Sequence, residues 1–338
     1  MSILNHRCPT CAGKNFRPHT TYTVQNGEQG QIYYCFDCEG YFSQTKNTPM
    51  ENLRTSLSLI QLVLSALNNG MGVNATCETF QISKNSLYLW QKRLAGLKKV
   101  LQLYALCHQF IQQMIEGDEL YTKVEKNKPA ADSEGWTIVL MDRASRFLWE
   151  LSCGKKERTL FEQAIQTLTQ VVEQTTDLVL LTDGERRYGN LLFEICHEVV
   201  RTGRPGRPKN TLPKGVKVRV KNKGSQAHKR GPKRPKYQAP HNEHPETEQN
   251  LANNDSHANH LEAFNSALRR KLACYRRHTN TYAKKQPALQ QRLDAHWVLH
   301  NFVRKHFTTK KVPAVALGVL FVGFSWHQLF SVQCFPFN

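Results

Sequence analysis

Two Cys-x-x-Cys pairs, Cys8 with Cys11 and Cys35 with Cys38, constrain the start of this chain more than any other feature. Two residues between cysteines let both sulfurs face one side of a tight turn, and two such turns supply the four thiolates of a closed tetrahedral zinc site. The 23 residues between the pairs contain Asn26-Gly27 between two strand-like runs, 20–25 and 31–35, which is a hairpin signal. The pattern predicts a small β zinc ribbon over residues 1–48, with one structural Zn²⁺ at Cys8, Cys11, Cys35 and Cys38. A redox dithiol is the competing reading of the pairs. Cys77, Cys107, Cys153, Cys196, Cys274 and Cys334 stand singly in apolar contexts and are expected in the core.

The first eleven residues are polar and hold no apolar segment of signal-peptide length, so a reducing, cytoplasmic setting is expected. Residues 312–338 lack Asp, Glu, Lys and Arg, but their most apolar part, 312–326, is short for a membrane span and is interrupted by Pro313, Gly318 and Gly323. A packed C-terminal element over 311–338 is expected, with a membrane anchor as the alternative.

Charge narrows the class of partner. The 338 residues carry 46 Lys and Arg against 27 Asp and Glu, a net +19, which points to a polyanion, most simply nucleic acid. Residues 201–240 hold fourteen of these cations and no acid. Within them GRPGRPK (203–209) and KRGPKRPK (229–236) interleave cations with Pro and Gly, resembling AT-hooks, extended pieces suited to a minor groove. Arg204, Arg207, Lys209, Arg230, Lys233 and Arg234 are the expected DNA contacts of a basic segment over 201–255. A solvated loop is the plainer reading.

Residues 49–106 change to helical spacing, with Leu57, Ile60, Leu64 and Leu67 on one face and Gly70 and Gly72 after it. A short helix over 74–81 and another opening after the N-cap Ser83 form a helix-turn-helix pattern. Ala75, Phe80, Ile82, Leu87 and Trp90 are its expected core. Lys84, Asn85, Ser86, Tyr88, Lys92 and Arg93 would face outward, as a major-groove reader requires. A purely structural helical hairpin is the alternative.

Strand-like runs at 114–124, 135–141 and 146–153, a helix at 160–173, a buried strand at 178–182, a helix at 189–198 and an alternating run at 216–220 give the order of an α/β domain with a mixed sheet. Long helices follow at 256–275 and 287–306. Three acids stand out. Asp118 lies in the first strand, Asp183 ends the buried run, and Glu262 shares a helix face with Asn265 and Arg269 while Leu261, Phe264, Leu268 and Leu272 form an apolar stripe. If the first and fourth strands are neighbours, Asp118 and Asp183 come together, and adjacent carboxylates are explained by cations between them. Two Mg²⁺ held by three acids suit phosphoryl transfer. Taken singly, Asp183 reads as a turn cap and Glu262 as a surface residue. Glu116, Glu119 and Glu185 are nearby acids outside this set, with Glu119 on the strand face opposite Asp118.

Together these residues resemble DDE transposases of the insertion-sequence-one family, of the longer kind encoded in one reading frame. The likeness runs from the Cys pairs to about Phe307 and is carried by Glu116-Gly117-Asp118-Glu119, Thr182-Asp183-Gly184, Leu261-Glu262-Ala263-Phe264-Asn265 with Arg269, and RRHTNTYAK at 276–284. It implies a multidomain chain: zinc ribbon, helix-turn-helix, and an α/β RNase H-like mixed-sheet catalytic domain over 107–200 and 256–310. It also implies that Asp118, Asp183 and Glu262 bind two Mg²⁺ (or Mn²⁺), and that ribbon and helix-turn-helix bind terminal inverted repeats. Arg269, Arg276, Arg277 and Lys284 would hold the strand by its phosphates. Synapsis of two ends with target DNA implies a homo-oligomer on DNA, in the cytoplasm at the bacterial nucleoid. The sequence departs from the pattern in the 78 residues between Asp183 and Glu262 and in His278, where Lys is common. The rivals are a catalytically inactive DNA-binding repressor and an RNase H-type nuclease acting on hybrids.

Overall fold

The computed structural model describes residues 7–125, 128–182, 185–201, 207–220, 241–242, 259–277 and 280–333. The N-terminal module is a three-stranded antiparallel sheet of β1 (Phe16–Thr23), β2 (Gln29–Cys35) and β3 (Tyr41–Ser43). Register pairs Phe16 with Cys35 and Tyr33 with Phe42, so strand alternation sends Phe16, Tyr33 and Phe42 to one face, where they enclose Cys8 and Cys35 in a small separate core. Their rings meet at 5.4–5.5 Å.

Three helices follow: α1 (Leu57–Leu67), α2 (Val73–Thr79) and α3 (Lys84–Leu106). Ser56 and Ser83 cap α1 and α3 with their hydroxyls, from Leu59 and Ser86 amides. Leu87 and Trp90 are buried, and Phe80 and Ile82 pack half-buried against them. Ala75 is not in this core. It is exposed and its neighbour Thr76 is fully buried instead, because the Thr76 hydroxyl returns a hydrogen bond to the Gly72 carbonyl at 2.9 Å and so needs no water.

The larger domain contains β4 (Gln113–Tyr121), β5 (Trp136–Asp142), β6 (Leu148–Gly154), α4 (Arg158–Val172), β7 (Leu178–Thr182), α5 (Arg187–Cys196), the short hairpin β8 (Glu198–Val200) and β9 (Lys209–Thr211), then β10 (Val216–Val220) and the two-residue β11 (His241–Asn242). After these come α6 (Asn259–Lys271), α7 (Gln286–Phe302), α8 (Pro313–Ala316) and α9 (Trp326–Phe330). The main sheet runs β11-β10-β7-β4-β5-β6. β4 pairs antiparallel with β5 and parallel with β7, and β7 pairs parallel with β10. The first and fourth strands of this domain are thus neighbours, with Gly117 opposite Thr182.

Helices cover both faces. Tyr188 of α5 and Phe161 of α4 pack on the face that carries Gly117 and Glu119, whereas α6 lies on the face that carries Glu116 and Asp118. α7 covers the exposed edge of the sheet. Its Asn301 exchanges two 2.9 Å bonds with the Leu148 backbone, and Gln290 accepts from the Cys153 amide at 2.8 Å and donates to the Leu151 carbonyl at 3.1 Å, leaving that edge of β6 little to offer another strand. One apolar core runs from Met50 through α3 and the sheet to Val332. The C-terminal segment joins it through Ala314, Phe324, Leu329 and Phe330. Among the described residues no helix is long and apolar enough to cross a membrane.

Of the single cysteines, Cys153 and Cys274 are buried, and Cys77 and Cys196 half-buried. Cys107 departs from the expectation of core packing: it is exposed, because it caps the end of α3, where the chain turns out toward solvent. Cys334 lies outside the described residues.

Candidate functional site

The ribbon brings its four cysteines together. Cys8 and Cys38 sulfurs are 3.6 Å apart, as are those of Cys11 and Cys35, and all four lie within 4.8 Å of one another. Four Zn–S bonds of about 2.3 Å in a tetrahedron set sulfurs about 3.8 Å apart, so the donor set fits zinc. Against the effect of burial, the Cys11 and Thr10 amides hold the Cys8 thiol down at about 7, while its neighbour Cys8 pushes Cys38 up to about 12. Four thiols this close cannot all ionise without a cation among them. Among the described residues this is the one group of three or more metal-type side chains near enough to share an ion.

The acid site is built where β4 meets α6. Asp118 and Glu116 project from the same face of β4, two residues apart, and each takes a bond from the helix. Leu261 N–H donates to Glu116 Oε2 at 3.1 Å, and Asn265 Nδ2 donates to Asp118 Oδ2 at 2.8 Å. Two strand residues span about 6.7 Å and four helical residues about 6 Å, so the repeats match and the helix is pinned along the strand. The apolar stripe Leu261, Phe264, Leu268 and Leu272 is buried as expected, which leaves Glu262 exposed in the first turn, one turn before Asn265. Burial, with Arg146 and Arg143 nearby, pushes His260 down to about 4, so this imidazole is neutral at pH 7. Thr182 ends β7 beside Gly117. Asp183, the next residue, lies outside the described residues. Carboxylate oxygens suit Mg²⁺ or Mn²⁺, and two of the three expected donors, Asp118 and Glu262, are on elements held against each other.

Glu116, read from the sequence as an acid outside the metal-binding set, has a structural role that the sequence did not reveal. It is 1% exposed, and Arg143 Nε stands 3.6 Å from its other oxygen. Glu119 and Glu185, by contrast, sit across the sheet, where Lys156 reaches them at 2.8 and 3.8 Å and Arg187 pairs with Glu185 at 2.7 Å.

The cations divide. Lys84, Asn85, Tyr88 and Lys92 are exposed on α3. Arg93 is half-buried and donates to the backbone carbonyls of Pro49 and Glu51. Arg269, Arg276 and Arg277 line a cleft just beyond Asp118 on β4, with Arg276 also donating to the Gly70 carbonyl at 2.7 Å. Gly70 has φ +94°, and a Cβ there would stand 2.5 Å from the Arg270 carbonyl oxygen, so glycine is required where α1 meets α6. Lys284 is exposed, as are Arg207 and Lys209, the latter opening β9. Arg204, Arg230, Lys233 and Arg234 lie outside the described residues.

No family model matches this chain, and no curated protein matches it. Among solved structures, it is similar to the Mos1 mariner paired end complex with Mn and to the Mos1 transposase paired-end complex with left transposon end. Each shows 12% identity and a TM-score of 0.17, over 42% of this chain and 57% of that chain. The mariner Mos1 paired end complex with Mg shows 12% identity and a TM-score of 0.15, over 40% and 53%. The match thus spans little more than half of each neighbour.

Proposed function

We propose that the chain is a DNA transposase of the insertion-sequence-one type with an RNase H-like catalytic domain. The observation that carries this reading is the two-point tie of Glu116 to Leu261 and Asp118 to Asn265, which sets the Glu262 helix along the strand bearing Asp118. The parallel pairing of Gly117 with Thr182 supports Asp183 as the third acid, since each acid directly follows one of these two residues in the chain. In open α/β sheets ligands bind beyond the carboxyl ends of strands where the order switches, and the strand order runs both ways from β4, with β5 and β6 to one side and β7 and β10 to the other.

Asp118, Asp183 and Glu262 would hold two Mg²⁺ or Mn²⁺. Such a pair of ions stabilises the attacking and leaving oxygens of a phosphoryl transfer. Water attacks the phosphate at an element end and the 3′ oxygen leaves. That 3′-OH then attacks a phosphate of target DNA, displacing its own 3′ oxygen. Asn265 and Glu116 hold the acids in place, Arg269 and Arg277 contact phosphates, and the zinc ribbon with α3 binds terminal inverted repeats. Joining two ends calls for a homo-oligomer. Incubating the full chain and Mg²⁺ with duplexes bearing the inverted repeats that flank its gene tests this: nicking at the repeat boundary is expected. Cleavage of only the RNA of hybrids, or binding without any cleavage, contradicts it.

A further inference from the structure

Beyond Asp118 the same strand runs into a cleft of 560 Å³, lined by Glu119, Tyr121, Lys123, Trp136, Tyr275 and the three arginines 269, 276 and 277. That volume is in the roughly 300–1,000 Å³ range of small-molecule sites. Its chemistry is split in two. Tyr121 and Trp136 face each other across β4 and β5, with ring centroids 5.2 Å apart. Trp136 Nε1 donates to the Ala130 carbonyl at 2.8 Å and Lys156 Nζ stands 4.6 Å over its ring, so the aromatic wall is held in one arrangement before anything binds. The cleft also holds four cations and one acid: the three arginines come from α6 and the segment after it, while Glu119 and Lys123 belong to the same stretch of chain as Tyr121. The acid, Glu119, is already paired with Lys156 at 2.8 Å, so an incoming anion meets net positive charge.

We propose that this cleft is a nucleotide site: one unpaired nucleotide of the DNA strand enters it, its base against the Tyr121–Trp136 wall and its phosphate among Lys123, Arg269 and Arg277. The assignment rests on reading Asp118 as part of a DNA-processing site, and adds to it a separate pocket for a base taken out of the stack. An aromatic wall accepts any base by its π-face, whereas arginines fix the phosphate, so the site holds the strand without reading its sequence. Tyr121 lies three strand residues, about 10 Å, beyond Asp118, so a nucleotide held there anchors the strand a short way along from the reacting phosphate.

The test compares a short mixed-sequence single strand of DNA with an abasic strand of the same length, each titrated against the full zinc-loaded chain. Wild type should bind the base-bearing strand about five- to a hundredfold tighter. Tyr121→Ala and Trp136→Ala should each remove most of that preference and leave abasic affinity unchanged, while Trp136→Phe should keep much of it. Arg277→Ala should weaken both strands alike. Equal affinity of wild type for the two strands, or a folded Tyr121→Ala chain that retains the full preference, overturns the proposal. Because this assay contains no cleavage step, a base preference without Mg²⁺-dependent nicking would remove the transposase reading alone. Nicking without a base preference would remove the nucleotide site alone.

Discussion

Asn265 donates to Asp118 across 2.8 Å, and this bond joins the helix that carries Glu262 to the central strand of the sheet. Asn265→Ala should lower the nicking rate by about 10²-fold, the cost of a misplacement of order 1 Å, while affinity for DNA ends stays within a factor of a few. Glu116→Gln keeps an acceptor for Leu261 N–H and should cost less than Glu116→Ala. Single-turnover cleavage beside a binding titration separates the two quantities, and equal loss of both would mean that Asn265 serves folding alone.

Zinc content is predicted at one per chain. Cys8→Ser with Cys35→Ser should lose the metal by elemental analysis and unfold the ribbon, whose core is otherwise a few aromatic rings. Metal binding requires thiolates, so affinity must fall as pH falls. Retention of zinc by the double variant would place the metal elsewhere.

On α3, Lys92→Ala should weaken binding to repeat and scrambled duplexes alike, whereas Asn85→Ala and Tyr88→Ala should relax the discrimination between them. Arg93→Ala has a different signature, because its guanidinium serves the Pro49 and Glu51 carbonyls. It should lower the melting temperature more than the DNA affinity.

Lys98 of α3 meets Glu150 of β6 at 2.9 Å and Asp294 of α7 at 3.0 Å, largely out of water. Lys98→Met leaves buried carboxylates without their cation and should cost about 3–5 kcal/mol in a denaturant titration. Burial alone would raise the Glu150 carboxyl, but the Lys98 ammonium and the Thr167 hydroxyl hold it below its usual value. Its stabilisation is therefore complete above the unfolded value of about 4.3 and is lost as pH falls through the folded value. Asp294, raised by burial, works in the opposite sense. Glu150→Gln should accordingly flatten the acid limb of the stability curve.

The elements that sequence reading located best are those with one dominant signal. The uninterrupted apolar run at Leu178–Thr182 and the alternation at Val216–Val220 are strands with those same limits, and the stripe on α6 faces the core. The Cys-x-x-Cys spacing was sufficient to bring four sulfurs together. What stayed hidden depends on register and on backbone partners. Glu116 resembles any strand-flanking acid until the helix amide it accepts is known. Arg93 and Arg276, in basic surroundings, read as phosphate contacts, yet both donate to main-chain carbonyls that no pattern of residue types reveals. Residue type favours Ala75 over Thr76 for the core, yet Thr76 is the buried one, its hydroxyl bonded back to its own helix. Tyr121 and Trp136 lie fifteen positions apart in sequence and meet only through strand pairing.

The central claim is that Asp118, Asp183 and Glu262 act as one metal-binding set. Its most direct measurement is cleavage and joining of repeat-bearing DNA in Mg²⁺ by Asp118→Asn, Asp183→Asn and Glu262→Gln chains, beside Glu119→Gln and Glu185→Gln. The account predicts that each triad variant binds ends but neither nicks nor joins them, that double variants are no worse than single ones, and that the two control variants, whose acids face Lys156 across the sheet, stay within a few-fold of wild type. A variant at Asp118, Asp183 or Glu262 that cleaves at close to the wild-type rate would contradict it.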